Sequence, residues 1–225
     1  REITSSLFCP VTYGGGISTL EHIRDCLYNG ADKVAIHAGH NIIKDACKKF
    51  GKQAIVGVVE LSGYYSQAAE DCFTMELLGA GEILLMDRFK DGTMEGYDTK
   101  LIKDATKELD VPLIICGGCK DPLDMVQAIE AGASAVAAGS IFLYTETTPT
   151  MCARELHNHN IPVRINSKYE IEIDNLPFII DQINKLTRKN NPMTNIEITQ
   201  FEKKYTQDSE FKEAVHGYIK RWNEL

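Results

Sequence analysis

No stretch of the chain approaches the roughly 20 consecutive apolar residues that cross a bilayer, and the opening REITSSLFCP carries no apolar core of the kind a secretory signal needs. Neither a membrane span nor a cleaved leader is expected, and a cytoplasmic location is. A starting methionine is also missing, so we expect the first residues to continue something upstream. Positive charge is scarce: 24 Lys and Arg face 32 Asp and Glu, a net −8. That balance argues against a nucleic-acid surface but leaves small anions open, because backbone amides bind those locally. The seven cysteines are odd in number and scattered at 9, 26, 47, 72, 116, 119 and 152, without the spacing of a disulfide framework. Cys116-Gly-Gly-Cys119 has the spacing of a redox or half-zinc motif, but no second pair accompanies it. His37 and His40 supply no complete ligand set either, so neither a metal nor a cofactor is expected.

What the sequence does contain is alternation. The apolar, β-rich runs CPVTY, KVAIHA, AIVGVVEL, EILLM, VPLIIC and AVAAGSIF are each followed by a segment of helical pattern. Continuous apolar runs suggest strands buried on both faces, hence a parallel α/β sheet. Helix signals separate them. Ser18, with Glu21 three residues on, predicts a capping box before Leu20, Ile23 and Leu27, with Gly30 as the stop. Asp121 predicts a second cap, with Pro122 at the first helical position, an apolar set of Leu123, Val126 and Ile129, and Gly132 as the stop.

These two helices belong to copies of one unit. Sliding the sequence by 102 residues sets Pro10 on Pro112, Gly15 and Gly16 on Gly117 and Gly118, Gly30 on Gly132 and Val34 on Val136, without a gap. The repeat distance spans four strand-helix units, and two four-unit halves predict a (β/α)8 phosphate-binding barrel. A doubly wound sheet is the alternative. In both copies the paired glycines fall at the carboxyl end of a strand, where barrel enzymes hold substrates and the next helix offers unpaired N–H groups. Two such corners suit a ligand with a phosphate at each end; two tight turns inherited from a duplication are the alternative reading.

The runs TYGGGIS, NGADKVAI, GAGEILLM, KDGTMEGYD, PLIICGG and HNIPVR, in this order over about residues 9–165, resemble the cyclase subunit of imidazole glycerol phosphate synthase. The resemblance implies a barrel that takes ammonia from a glutaminase partner, forming a heterodimer. It converts a two-phosphate ribonucleotide into imidazole glycerol phosphate and an aminoimidazole carboxamide ribotide. It also implies phosphate binding by Gly15 and Gly16 at one end and by Gly92, Gly117, Gly118, Gly139 and Ser140 at the other. Catalytic roles fall on Glu60 and Asp91, and ammonia entry on Lys33 and Glu82, which otherwise read as solvated rim residues.

Departures accompany the matches. The strand-five acid is Glu60 where the family has aspartate, which moves the carboxylate by about 1 Å, enough to cost on the order of a hundredfold in rate. His37 stands where the family carries asparagine, Phe89-Lys90 replaces Asp-Arg, and the long loop after strand five is absent. The strand-one aspartate has no counterpart, so we expect the chain to begin after the family's first two units. Pro10–Tyr13 and Ile141–Leu143 would then flank a gap as exposed apolar edges. The resemblance leaves three alternatives open: a non-cyclising member that channels ammonia for amidation of a surface-polysaccharide sugar, a sugar-phosphate isomerase barrel, and an inactive fragment.

Beyond the partial barrel of residues 1–165, residues 166–225 read as a mostly helical extension. SKYEIEI predicts a short strand, Leu176, Ile179, Ile180, Ile183 and Leu186 a helix, and KNNPMT a linker. Phe201, Tyr205, Phe211, Val215, Tyr218, Ile219 and Trp222 form the apolar stripe of a second helical segment, a packing face with no chemistry assigned.

Overall fold

The computed structural model describes residues 9–37, 42–61 and 63–164, together with Thr4, Leu7, Phe201, Lys204, Tyr205, Phe211, Glu213 and Val215. The chain divides into two compact units, Arg1–Val163 and Arg164–Leu225. In the first unit strands and helices alternate: β1 (Thr12–Gly14), α1 (Leu20–Tyr28), β2 (Lys33–His37), α2 (Ile43–Phe50), β3 (Ile55–Glu60), α3 (Tyr65–Leu77), β4 (Glu82–Met86), α4 (Thr99–Thr106), β5 (Leu113–Cys116), α5 (Pro122–Glu130), β6 (Ala135–Ala137), α6 (Ser140–Tyr144) and α7 (Pro149–Asn158).

The six strands are all parallel and lie in the sheet in chain order. A doubly wound sheet reverses its strand order at a switch point. Here there is none, so the arrangement is six consecutive units of a (β/α)8 barrel.

The expectation of strands buried on both faces is corrected. Ile36, Ile55, Ile83, Leu85, Leu113 and Ile115 are almost fully buried on the face that meets the helices. Each contributes about 1.5–3 kcal/mol by leaving water. On the other face Ala35 and Val56 are buried, but Val58, Glu60, Leu84, Met86, Ile114 and Cys116 are all partly exposed. Among the described residues β1 and β6 are edges and the sheet does not close on itself, so its inner face keeps contact with solvent.

The 102-residue repeat is a repeat of structure. Residues 20–28 of α1 map onto residues 122–130 of α5, and the bonds joining each helix to the next strand recur. Ala31 N donates to Cys26 O at 3.1 Å and Ala133 N to Ala128 O at 3.1 Å; Asp32 N donates to Val11 O and Ser134 N to Leu113 O, both at 2.8 Å. Gly30 and Gly132 follow the two helices with φ of 101° and 116°, a region that favours glycine.

Several local expectations shift. The cap of α1 is Thr19, whose hydroxyl accepts from His22 N, so no Ser18–Glu21 box forms. At α5 the expected Asp121 cap is present and Asp124 completes a capping box. Leu123 is exposed, whereas Val126 is buried as expected and Ile129 packs partly buried against the core; Met125 and Ala128 complete the buried face. Ile141–Leu143 is no strand edge: it lies within α6, where Ile141 is fully buried while Phe142 and Leu143 are exposed as expected.

In the second unit the described residues are helical. Phe201 stacks on Tyr205 at 5.9 Å between ring centroids and meets Phe211 edge-on at 5.6 Å, while Lys204 Nζ lies 4.4 Å from the Phe211 ring. These contacts join the first members of the apolar stripe. The strand and helix expected between 167 and 186, the linker at 189–194, and Tyr218, Ile219 and Trp222 lie outside the described residues. Among the described residues no helix is long and apolar enough to cross a membrane.

Candidate functional site

A parallel sheet delivers the carboxyl end of every strand to one rim, so residues far apart in sequence meet there. Asp91, Gly92, Met94, Cys116, Gly117, Gly118, Cys119, Ala138, Gly139 and Ser140 line one cleft. It lies beyond β4, β5 and β6. Asp91, expected to be catalytic, and Gly92, Gly117, Gly118, Gly139 and Ser140, expected to bind phosphate, are thus neighbours. Gly15 and Gly16 stay outside this cleft, at the end of β1 on the same rim of the sheet. Glu60 also stays outside it. It ends β3 in the row Glu60–Met86–Cys116, two strand spacings or roughly 10 Å from Cys116.

The cleft is built by the segment between β4 and α4. Asp87, only 2% exposed, accepts through Oδ1 from the amides of Phe89 (3.0 Å) and Lys90 (3.3 Å), while its carbonyl accepts from Asp91 N at 3.0 Å. This tight turn sends Asp91 and Gly92 toward β5. The segment is then fastened to the glycine corner: Gly96 N donates to Gly118 O at 2.7 Å, and Lys90 Nζ donates to Gly96 O at 3.0 Å. Buried Tyr97 donates its hydroxyl to Ala137 O at 2.9 Å, tying the same segment to β6. Burial, then the neighbouring Cys119, pushes the Tyr97 phenol well above its usual value, so it remains a donor.

Sequence reasoning missed Asp87, Lys90 and Gly96. An Asp two and three residues ahead of the amides it accepts from is the signal for such a turn, but it was masked by the stronger DGT motif that follows.

The glycines at this corner are required by packing. Gly117 and Gly118 have φ of 105° and 95°, and a Cβ at either would come within 2.5 Å of Asp87 O or 2.6 Å of Gly96 O. The expectation of free N–H groups on the following helix is corrected. Asp121 accepts from Leu123 N and Asp124 N, and Asp124 accepts from Lys120 N and Asp121 N. The helix start that faces the cleft without a side-chain cap is Gly139–Ser140, before α6.

Neither cysteine of Cys116-Gly-Gly-Cys119 is poised as a thiolate. Burial, then the charge of Asp91, pushes Cys116 up, and burial carries Cys119 to about 11. Among the described residues no cluster of His, Cys, Asp and Glu is arranged to hold a metal. His40 lies outside them.

At the opposite end of the strands, Lys33 Nζ and Glu82 Oε1 form an ion pair, both side chains about a quarter to a third exposed. The two residues open β2 and β4, so the pair bridges the start of β3.

Strand-helix units in unbroken order, with acids and glycine turns gathered at the carboxyl rim, define a barrel-type enzyme scaffold. Comparison with known proteins specifies it further. A sequence profile of the family described as "Histidine biosynthesis protein" matches residues 1–148. The chain is 38% identical over 184 residues to "Imidazole glycerol phosphate synthase subunit HisF" of Endomicrobium trichonymphae, covering 73% of this chain and 71% of that one. It is 34% identical to the protein of the same name from Thermococcus onnurineus (74% and 73% covered). It is 35% identical to "Putative imidazole glycerol phosphate synthase subunit hisF2" of Vibrio vulnificus (76% and 71% covered). The chain therefore belongs to the histidine-biosynthesis family, among the cyclase subunits of imidazole glycerol phosphate synthase, which are enzymes of the cyclase or lyase type.

Proposed function

We propose that the chain is the cyclase partner of a glutaminase, using its ammonia to convert a two-phosphate ribonucleotide into imidazole glycerol phosphate and an aminoimidazole carboxamide ribotide. The observation that carries this reading is the meeting of Asp91 and Gly92 with Gly117, Gly118, Gly139 and Ser140 around one cleft. Backbone amides at glycine turns hold phosphate at a distance that side chains would deny. We assign one phosphate to this cleft and the other to Gly15 and Gly16. Asp91 and Glu60 supply the acid-base chemistry that ring closure and carbon-nitrogen cleavage demand. Ammonia enters past Lys33 and Glu82, at the amino-terminal mouth. The glutaminase docks there, and the product forms at the other rim.

Mixing the purified full-length protein with the ribonucleotide and ammonium salt tests the reading. Formation of imidazole glycerol phosphate is expected; no turnover removes it. A second reading, transfer of ammonia to a different acceptor as in amidation of a surface-polysaccharide sugar, is favoured by Glu60 in place of aspartate, the absent long loop after it, and Phe89. Turnover of such a sugar with ammonium, and none of the ribonucleotide, would select it.

A further inference from the structure

Three charged side chains from neighbouring strand ends form one cluster on the carboxyl rim. Glu60 closes β3, His37 closes β2, and Arg88 lies two residues past β4. Arg88 Nη1 is 3.2 Å from Glu60 Oε2, and His37 Nε2 is 3.6 Å from Glu60 Oε1. Each carboxylate oxygen therefore faces a different protein partner. The His37 and Arg88 side chains are 48% and 62% exposed, whereas that of Glu60 is 30% exposed. A direct acid or base needs an oxygen turned toward substrate, and here it is the imidazole that stands further into solvent.

The geometry points to His37 as the proton-transfer group of this rim, with Glu60 as the positioning residue that holds its ring and Arg88 as the clamp on Glu60. This inference rests on the cyclase reading and changes how its acid works. Imidazole is the side chain suited to exchange protons near neutral pH, and a carboxylate partner fixes its ring orientation. The gap of 3.6 Å is ion-pair range and closes when substrate orders the rim, as apo catalytic contacts commonly do. In the reaction His37 accepts a proton from the attacking ammonia nitrogen as the new carbon-nitrogen bond forms. It then delivers that proton to the leaving nitrogen as the old bond breaks, while the carbonyl oxygen that ring closure displaces departs as water, so the imidazole ends the cycle unchanged. The substitution of glutamate for aspartate then has a function: the longer side chain reaches His37.

The test is steady-state turnover of the ribonucleotide with ammonium salt by the full chain, its His37→Ala and Glu60→Gln variants, and the double variant. We expect His37→Ala to lower kcat by about 10²-fold or more with KM little changed, and added imidazole to restore part of it. Glu60→Gln should lower kcat by less and add little to the loss in the double variant, because the two act as one unit. Retention of kcat by His37→Ala within a factor of about two, failure of imidazole to restore it, or fully additive losses would overturn the inference while the cyclase reading stands. Absence of turnover by the unaltered chain would overturn both.

Discussion

The two glycine corners share a turn and the helix that follows it, and differ in what packs against the glycines. Gly15 and Gly117 have φ of 106° and 105°, and each corner leads into a nine-residue helix at the same offset. Yet Gly15 and Gly16 are exposed and a Cβ on either would meet nothing within 4 Å, whereas Gly117 and Gly118 are buried against the carbonyls of Asp87 and Gly96. The repeat therefore preserves the turn, while the cleft comes from the β4–α4 segment that packs on the second corner. A glycine turn and the cleft built around it are separable properties.

Substitutions sharpen that contrast. Gly117→Ala combines an unfavourable φ with a clash against a carbonyl, and should cost about 3 kcal/mol or more. Gly15→Ala carries only the backbone strain, about 1–2 kcal/mol. Urea unfolding midpoints would check both, and equal losses would break the comparison. Asp87→Ala leaves the amides of Phe89 and Lys90 without their buried acceptor. It should cost about 2–3 kcal/mol by the same measurement and loosen the delivery of Asp91 into the cleft.

A smaller effect is expected at the start of α4. Asp98 accepts from Lys100 N and Leu101 N, both at 3.0 Å, and from the Tyr65 hydroxyl. Burial pushes its carboxyl up, but the Tyr65 hydroxyl and the two amides outweigh it and leave Asp98 below its ordinary value. The same bond, with burial, carries Tyr65 up to about 12. Because the folded value is depressed, the stability Asp98 adds is present above its unfolded value of about 3.9 and lost as pH falls through the folded one. Asp98→Ala should lower stability at pH 7 by about 1 kcal/mol and flatten this part of the acid-side loss, read from unfolding midpoints between neutral and acid pH. Least costly of all is modification of exposed Cys9. It should precede that of buried Cys119, whose thiol sits near 11, when the native protein meets an alkylating agent.

Much of the scaffold was legible because it rests on local patterns. The apolar runs located the six strands among the described residues, and Asp121-Pro122 placed the start of α5. Choices between equivalent residues were not legible. Ser18 and Thr19 are both good caps, and only the register against His22 decides for Thr19. Leu123 has helical spacing to Val126, but the buried arc runs through Met125 and Ala128 and leaves Leu123 past its edge. The run AVAAGSIF reads as one apolar strand, yet Gly139 interrupts it and Ile141 is buried from a helix. At the site, motifs brought out the glycines and Asp91. The network through Asp87, Lys90 and Gly96 depends on contacts between β4–α4 and β5–α5 that no local pattern records.

In the proposed reading, main-chain amides at the second corner hold phosphate, and the first corner engages only when a ligand reaches both. Amide NMR shifts of Gly15, Gly16, Gly117, Gly118, Gly139 and Ser140 test it directly, with inorganic phosphate in one titration and the two-phosphate ribonucleotide in another. Saturable shifts at residues 117–118 and 139–140 with phosphate alone, joined by 15–16 only with the ribonucleotide, are the predicted result. Shifts confined to 15–16, or none at 117–118 and 139–140 with either ligand, would contradict the account.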